Sequence, residues 1–298
     1  MAITKRILIQ LDCDPQPSTF DAVVAVDAGA DVLLRHGGVT PENVVPLVHG
    51  AMFTRGGAEL ASTAIFVGGS DVTAAEAVAA KVRETFFGPV RVGVLLDPSG
   101  ANSTAAAAVV SAARHLSLGA GAAAPCRALV LGGTGPVGRR VARLLAREGA
   151  TVHLASRSLA RADEAARSLR EVVPGGDVAP LAWPATVAAG TPAAQVLAAA
   201  DLVVAAGAAG VVLLDAAARG LAGALRVVID LNAVPPAGVA GILPTDKGRR
   251  DGAAFVYGAL GVGGLKMRIH RAAVERIFTA PDAVLDAEEL LAIGLAQA

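Results

Sequence analysis

Ala128-Leu129-Val130-Leu131-Gly132-Gly133-Thr134-Gly135-Pro136-Val137-Gly138 decides the fold. It reads as a buried strand, a glycine turn and the start of a helix. Gly133, Gly135 and Gly138 form G-x-G-x-x-G. The first glycine is expected to permit a tight turn. The second lets the backbone approach a pyrophosphate, and the third lets the helix pack closely. Pro136 suits a first helical turn, where no amide hydrogen is needed. Val137, Val141, Leu144 and Leu145 then share one helix face, and the helix stops at Gly149. Free N–H groups and the helix dipole at its start favour an anion.

The flanking residues complete the motif. A second strand, Thr151-Val152-His153-Leu154-Ala155, follows the helix. NAD binders place an acid near its end, about 20 residues on, to hold the ribose 2′-hydroxyl. Here Ser156-Arg157-Ser158 stands instead. Arg157 can fork onto a 2′-phosphate and Ser156 can donate to it. This reads as NADP; the alternative is that Arg157 is only a solvated surface residue. The expected cofactor set is Gly133, Thr134, Gly135, Pro136, Val137, Gly138, Ser156, Arg157 and Arg161, with Ala206, Gly207 and Asn232 from later strand ends.

Composition bounds the rest. A chain of 298 residues is enough for two domains. It is 54% hydrophobic and 17% charged, which supports a large core and argues against disorder. Net charge is zero and aromatics are 3%, so no nucleic-acid or membrane signal is present. Cys13 and Cys126 lack zinc spacing and read as free thiols of a reducing, cytoplasmic compartment. The opening Met1-Ala2-Ile3-Thr4-Lys5-Arg6 does not read as a signal peptide, and no apolar run is long enough to span a bilayer. His36, His49, His115, His153 and His270 are dispersed, without metal spacing. Asp12 and Asp14 fit a metal pair or simply a turn at a strand end, and no metal is assigned.

In order, Arg6–Leu11 is a strand and Ser18 caps the helix that follows. Asp31–Leu34 is a short strand, and Pro41–Val48 a helix interrupted near Pro46. Strands at Thr63–Val67 and Arg91–Leu96 flank a helix over Asp71–Thr85. Asn102 is expected to cap an alanine-rich helix running towards Leu118. Gly119–Pro125 is small and marks a boundary. Beyond it come a weak strand near Val178–Ala182 and clear ones at Asp201–Gly207 and Arg226–Leu231. Gly258–Gly264 reads as a glycine-rich turn before helices at Leu265–Ile277 and Ala287–Ala296. The class is α/β. Residues 1–119 with about 265–298 form an N-terminal substrate domain, to which the last helices return. Residues 120–264 form a Rossmann-type NADP domain.

These residues, taken end to end, resemble the NADP-dependent methylene-tetrahydromethanopterin/methylene-tetrahydrofolate dehydrogenases of methylotrophic bacteria. The resemblance rests on Phe20-Asp21, Thr54-Arg55-Gly56-Gly57, Ser62–Gly69, Phe86-Phe87-Gly88-Pro89 and Gly133–Gly138. It continues in Pro235-Pro236, Thr245-Asp246-Lys247-Gly248, Gly258–Gly261 and Gly263-Gly264-Leu265-Lys266. One departure is Ser158, where the family carries a lysine. The resemblance implies hydride transfer from a methylene pterin to NADP+, and a homo-oligomer.

Such chemistry needs two aligned rings, excluded water and polar anchors for the pterin edge. Lys266, Phe20 and Thr104 are the expected catalytic residues. Asp97, Asn102 and Ser103 join them as substrate-binding candidates. Each has a plainer reading: Phe20 as core, Asn102 as a cap, Asp97 as a turn residue, Lys266 as a solvated end. Rival functions are a shikimate- or quinone-type reductase, a short-chain reductase and an NADPH-binding redox sensor. Cyclohydrolase relatives use a Tyr-x-x-x-Lys base in the first domain. The only tyrosine here is Tyr257, so no cyclohydrolase activity is expected.

Overall fold

The computed structural model describes residues 4–119 and 124–297. Part of the expected linker, residues 120–123, and the start, residues 1–3, lie outside them. The described chain divides into two compact units. One runs to Ser103 and resumes over Met267–Ala296; the other spans Thr104–Lys266.

The first unit alternates strands and helices: β1 (Ile7–Asp12), α1 (Thr19–Asp27), β2 (Val32–His36), α2 (Val45–Phe53), β3 (Thr63–Gly68), α3 (Val72–Thr85) and β4 (Gly93–Leu96). Helix α4 (Ala101–Ala113) follows. The C-terminal β12 (Val284–Leu285) and α10 (Ala287–Leu295) belong to the same unit. The sheet order is β12-β4-β3-β1-β2, parallel throughout. Parallel sheets are covered on both faces, which is why β3 and β4 are buried at every residue. Ile9, Leu11, Ile65, Val67 and Val94 pack with Val48, Met52, Val78 and Val82.

The second unit holds β5 (Arg127–Leu131), α5 (Pro136–Arg147), β6 (Thr151–Ser156), α6 (Leu159–Val172), β7 (Val178–Ala182), α7 (Pro192–Ala199) and β8 (Leu202–Ala205). It continues with α8 (Ala216–Arg219), β9 (Val227–Asp230), β10 (Lys247–Asp251), β11 (Ala254–Tyr257) and the start of α9 (Ala259–Ile277). Its order is β10-β11-β9-β8-β5-β6-β7. Only β10 runs antiparallel to its neighbour. The order reverses between β5 and β8, the switch point at whose carboxyl ends such sheets bind ligands.

Three local expectations change. Pro46 opens α2 instead of interrupting a helix, because a missing N–H is harmless in a first turn. Helix α4 ends at Ala113, short of Leu118. The stretch Gly258–Gly264 is not a turn, for helix α9 begins at Ala259. A Cβ on Gly258 would strike the Leu243 carbonyl, and one on Gly261 the Asp246 carbonyl. These glycines serve close approach of a helix to backbone. No helix among the described residues is long and apolar enough to cross a membrane.

Candidate functional site

In the second unit the turn after β5 is the natural cradle. The residue with left-handed backbone is Gly132, at φ +70°, one position before the expected one. Gly133 instead faces β6: a Cβ there would lie 2.6 Å from Leu154 Cγ. A Cβ on Gly138 would strike the backbone of Gly132 and Gly133, so the helix start rests directly on the turn. Gly135 differs. It is the N-cap of α5 with φ −76° and ψ 168°, a conformation open to any residue. A Cβ there would meet nothing closer than Gly132 O at 3.4 Å and Ala206 O at 3.7 Å. The protein itself leaves room for a side chain at Gly135. The space at this helix start suits a pyrophosphate, with the helix's free N–H groups aimed at it.

The neighbouring strand ends complete the cradle. Ser156 closes β6, and Arg157 after it is exposed. No ion pair holds Arg157 or Arg161 among the described residues. Ser158 caps α6: its Oγ accepts from Arg161 N at 3.3 Å. Ala206 and Gly207 follow β8, and Gly207 lies where a Cβ on Gly132 would project. Asn232 shapes its own loop. Its Nδ2 donates to Pro236 O and its Oδ1 accepts from Val234 N, both at 3.0 Å. Asp230 is buried beneath and accepts from Asn232 N and Val239 N at 3.0 Å. Burial pushes its carboxyl above the usual range, against those N–H groups.

The turn after β4 organises the first unit. Asp97 is fully buried, and its Oδ1 accepts from Asn102 N at 2.9 Å and Ser103 N at 3.0 Å. The cap of α4 is therefore Asp97, not Asn102. Asn102 sits inside the helix, and its Nδ2 donates to Leu96 O at 2.6 Å and Asp286 Oδ1 at 2.7 Å. It thus ties the end of β4 to the start of α10. Ser103 Oγ donates to Gly100 O at 3.3 Å. Asp97, Asn102 and Ser103 are all 0% exposed, so they present no surface to a substrate. Their polar atoms are spent on holding the turn. Within it Ser99 takes φ +53°, a strained conformation for a residue with a side chain.

Thr104, Lys266 and Phe20 retain accessible surface. Thr104 lies in the first turn of α4 and Lys266 in the second turn of α9. Phe20, in the first turn of α1, is 52% exposed and not core. The loop before it is stapled by carboxylates. Asp12 accepts from Asp14 N at 3.0 Å and Ser18 N at 2.9 Å. Asp14 accepts from Ser70 N at 3.0 Å and Ser70 Oγ at 2.8 Å. Ser18 then caps α1 through Asp21 N. Asp12 and Asp14 are thus loop anchors, and no cluster of metal-ligating residues occurs among the described ones.

His270 was not anticipated. It lies one helical turn beyond Lys266 on α9 and is 1% exposed. Its Nδ1 is 3.4 Å from Asp97 Oδ2, and its ring stacks on Phe66 at 5.7 Å. The signal was available: a polar residue on the apolar face formed by Val262, Leu265, Ile269 and Ala273.

The carboxylates around Cys13 carry one prediction. Burial, then Asp12, Asp14 and Asp71, push its thiol up to about 11; burial takes Cys126 to about 11 as well. The thiolate is the nucleophile, and at pH 8 only about a thousandth of each thiol is ionised. Iodoacetamide at pH 8 should leave both unmodified in the native protein, as peptide mass mapping would read. Rapid labelling of Cys13 would contradict this electrostatic setting.

Comparison with known proteins was consistent with these features. Residues 19–99 match the family model described as methylene-tetrahydromethanopterin dehydrogenase, N-terminal. The chain is 43% identical over 288 residues to the bifunctional protein MdtA of Methylorubrum extorquens, covering 97% of each chain. It is 34% identical over 274 residues to that organism's NAD(P)-dependent methylenetetrahydromethanopterin dehydrogenase, covering 89% of each. Among solved structures, quinate dehydrogenase from Corynebacterium glutamicum in complex with NAD aligns over 98% of this chain and 99% of that one, at 16% identity and a TM-score of 0.48.

Proposed function

Because the chain belongs to the methylene-tetrahydromethanopterin dehydrogenase family, we propose that it transfers a hydride reversibly from the methylene carbon of a tetrahydropterin to NADP+. The substrate is methylene-tetrahydromethanopterin, methylene-tetrahydrofolate or both, and the product is the methenyl form used in one-carbon metabolism. The observation that carries the redox half is the cradle at Gly135, where the protein leaves space that its own packing does not require.

When bound, the nicotinamide ring accepts the hydride. The protein's part is to hold, orient and exclude water. Gly133, Thr134, Gly135, Pro136, Val137 and Gly138 hold the pyrophosphate at the start of α5. Ala206, Gly207 and Asn232 flank that cradle. Ser156, Arg157 and Arg161 face a 2′-phosphate, and the strand end Ser156-Arg157-Ser158 carries no acid to repel it. For the pterin, Phe20 supplies an apolar wall, while Thr104 and Lys266 supply polar anchors. The methenyl product spreads its positive charge over two nitrogens, so no strong base is needed.

The only tyrosine is buried in the second unit on β11, with its hydroxyl 2.8 Å from His115 Nε2. That supports a dehydrogenase without cyclohydrolase activity. The thiols and the family resemblance support a cytoplasmic homo-oligomer.

Arg157→Ala should weaken NADP by about 1.5–3 kcal/mol, the worth of a charged hydrogen bond. NAD affinity is the reference, and equal loss of both cofactors would remove Arg157 from the phosphate site. The reading as a whole is tested by steady-state assay of both methylene pterins with both cofactors. Turnover with NADP and at least one pterin is the expected result. A protein that binds NADPH but oxidises neither pterin would be a redox sensor instead.

A further inference from the structure

Every residue from Val92 to Ser103 is buried except Ser99, which is exposed. It stands in the turn between β4 and α4, beyond the carboxyl end of β4. The carboxyl ends of a parallel sheet are where such folds bind ligands. The next residue along the chain with accessible surface is Thr104, and the chain is then buried again to Ala112.

The backbone at Ser99 does not suit its residue type. Its φ of 53° and ψ of 21° are left-handed, where glycine is comfortable and a residue with a Cβ is not. Among the described residues every other position with positive φ is a glycine, the neighbouring Gly100 included. A serine in a turn is usually explained by a hydrogen bond to nearby backbone. Ser99 Oγ makes none among the described residues; Asp97 and Ser103 hold the turn instead. Gly100 N also donates to Asp97 O at 3.1 Å, and Asp97 N to Val67 O at 3.2 Å. These bonds hold a strained residue in place, and strain held this way is a mark of functional sites. Neither packing nor local hydrogen bonding accounts for a serine here.

We propose that Ser99 is a substrate-contacting residue whose hydroxyl hydrogen-bonds the polar edge of the pterin. The inference rests on the pterin reading above and adds a contact which that reading does not include. A serine hydroxyl both donates and accepts. The pyrimidinone edge of a pterin presents a carbonyl oxygen beside ring N–H and amino groups, so it can meet the hydroxyl in either sense. A fixed turn also loses little freedom when the ligand binds.

The test combines thermal unfolding with steady-state kinetics of the full-length protein, using methylene-tetrahydromethanopterin and methylene-tetrahydrofolate in turn. Ser99→Gly relieves the backbone, so its thermal midpoint should rise. Its kcat/KM for the pterin should nevertheless fall about three- to tenfold, the worth of one neutral hydrogen bond. The loss should appear in KM for the pterin, with kcat and KM for NADP unchanged. Ser99→Ala should show the same loss without the rise in midpoint, because the strain stays. Ser99→Asn should recover part of the loss, since asparagine tolerates the left-handed region and keeps a donor and an acceptor. Ser99 is exposed, so all three variants are expected to fold. Unchanged kinetics in both Ser99→Gly and Ser99→Ala, with a loss in Thr104→Ala, would overturn the contact and leave the pterin reading intact. A loss in Ser99→Gly alone would assign the effect to rigidity of the turn and overturn the contact as well. No turnover of either pterin by the unmutated protein would overturn the reading itself, before any variant is made.

Discussion

Gly135→Val is expected to abolish binding of the nicotinamide cofactor while the protein stays folded. The N-cap of α5 has φ −76° and ψ 168°, which a β-branched residue adopts readily. A Cβ there lies 3.4 Å from Gly132 O, an ordinary contact. No neighbour resists a Cβ at this position, so the thermal midpoint should hardly move. The valine methyls would instead occupy the space at the helix start and hold a pyrophosphate away from the N–H groups. Losing two charged hydrogen bonds, at about 1.5–3 kcal/mol each, weakens binding about a hundredfold or more. Gly138→Val is the contrast. Its Cβ would strike the turn backbone, so that variant should lose stability as well as binding. Full NADP affinity in folded Gly135→Val would remove the phosphate from this turn.

The sheets were legible because their signals are local. Ala128–Leu131, Leu202–Ala206 and Val227–Ile229 are apolar runs bounded by polar or glycine residues, and parallel strands covered on both faces must read that way. The glycine fingerprint was legible as a whole, though the job of each glycine was not. Which glycine turns and which merely touches depends on Leu154 and Gly207, distant in sequence. The same ambiguity hid the start of α9. Glycine composition suggests freedom, yet Gly258 and Gly261 serve contact with backbone that only the fold brings near.

The site residues of the first unit divide for a related reason. Asp97 and Asn102 lie in a local pattern that reads equally as cap, turn or ligand anchor. Asp286 and His270, which settle their roles, are far along the chain.

Lys266→Ala is expected to cut kcat/KM for the pterin tenfold or more, the effect of losing about 1.4 kcal/mol of alignment in the transition state. Lys266 stands on α9 next to the buried Leu265 and keeps part of its own surface accessible. A lysine there can donate to a pterin oxygen and set the angle of the ring. It has no use as a base, because hydride transfer takes no proton from the methylene carbon. The pH profile of the variant should therefore keep its basic limb, and NADP affinity should hold. Alanine is the best helix former, so loss of α9 is not a competing explanation. Lys266→Arg keeps the charge with a different reach, and should recover binding of the pterin more than turnover if ring angle is what matters. Normal turnover in Lys266→Ala would make the residue a solvated helix position and move the pterin away from α9.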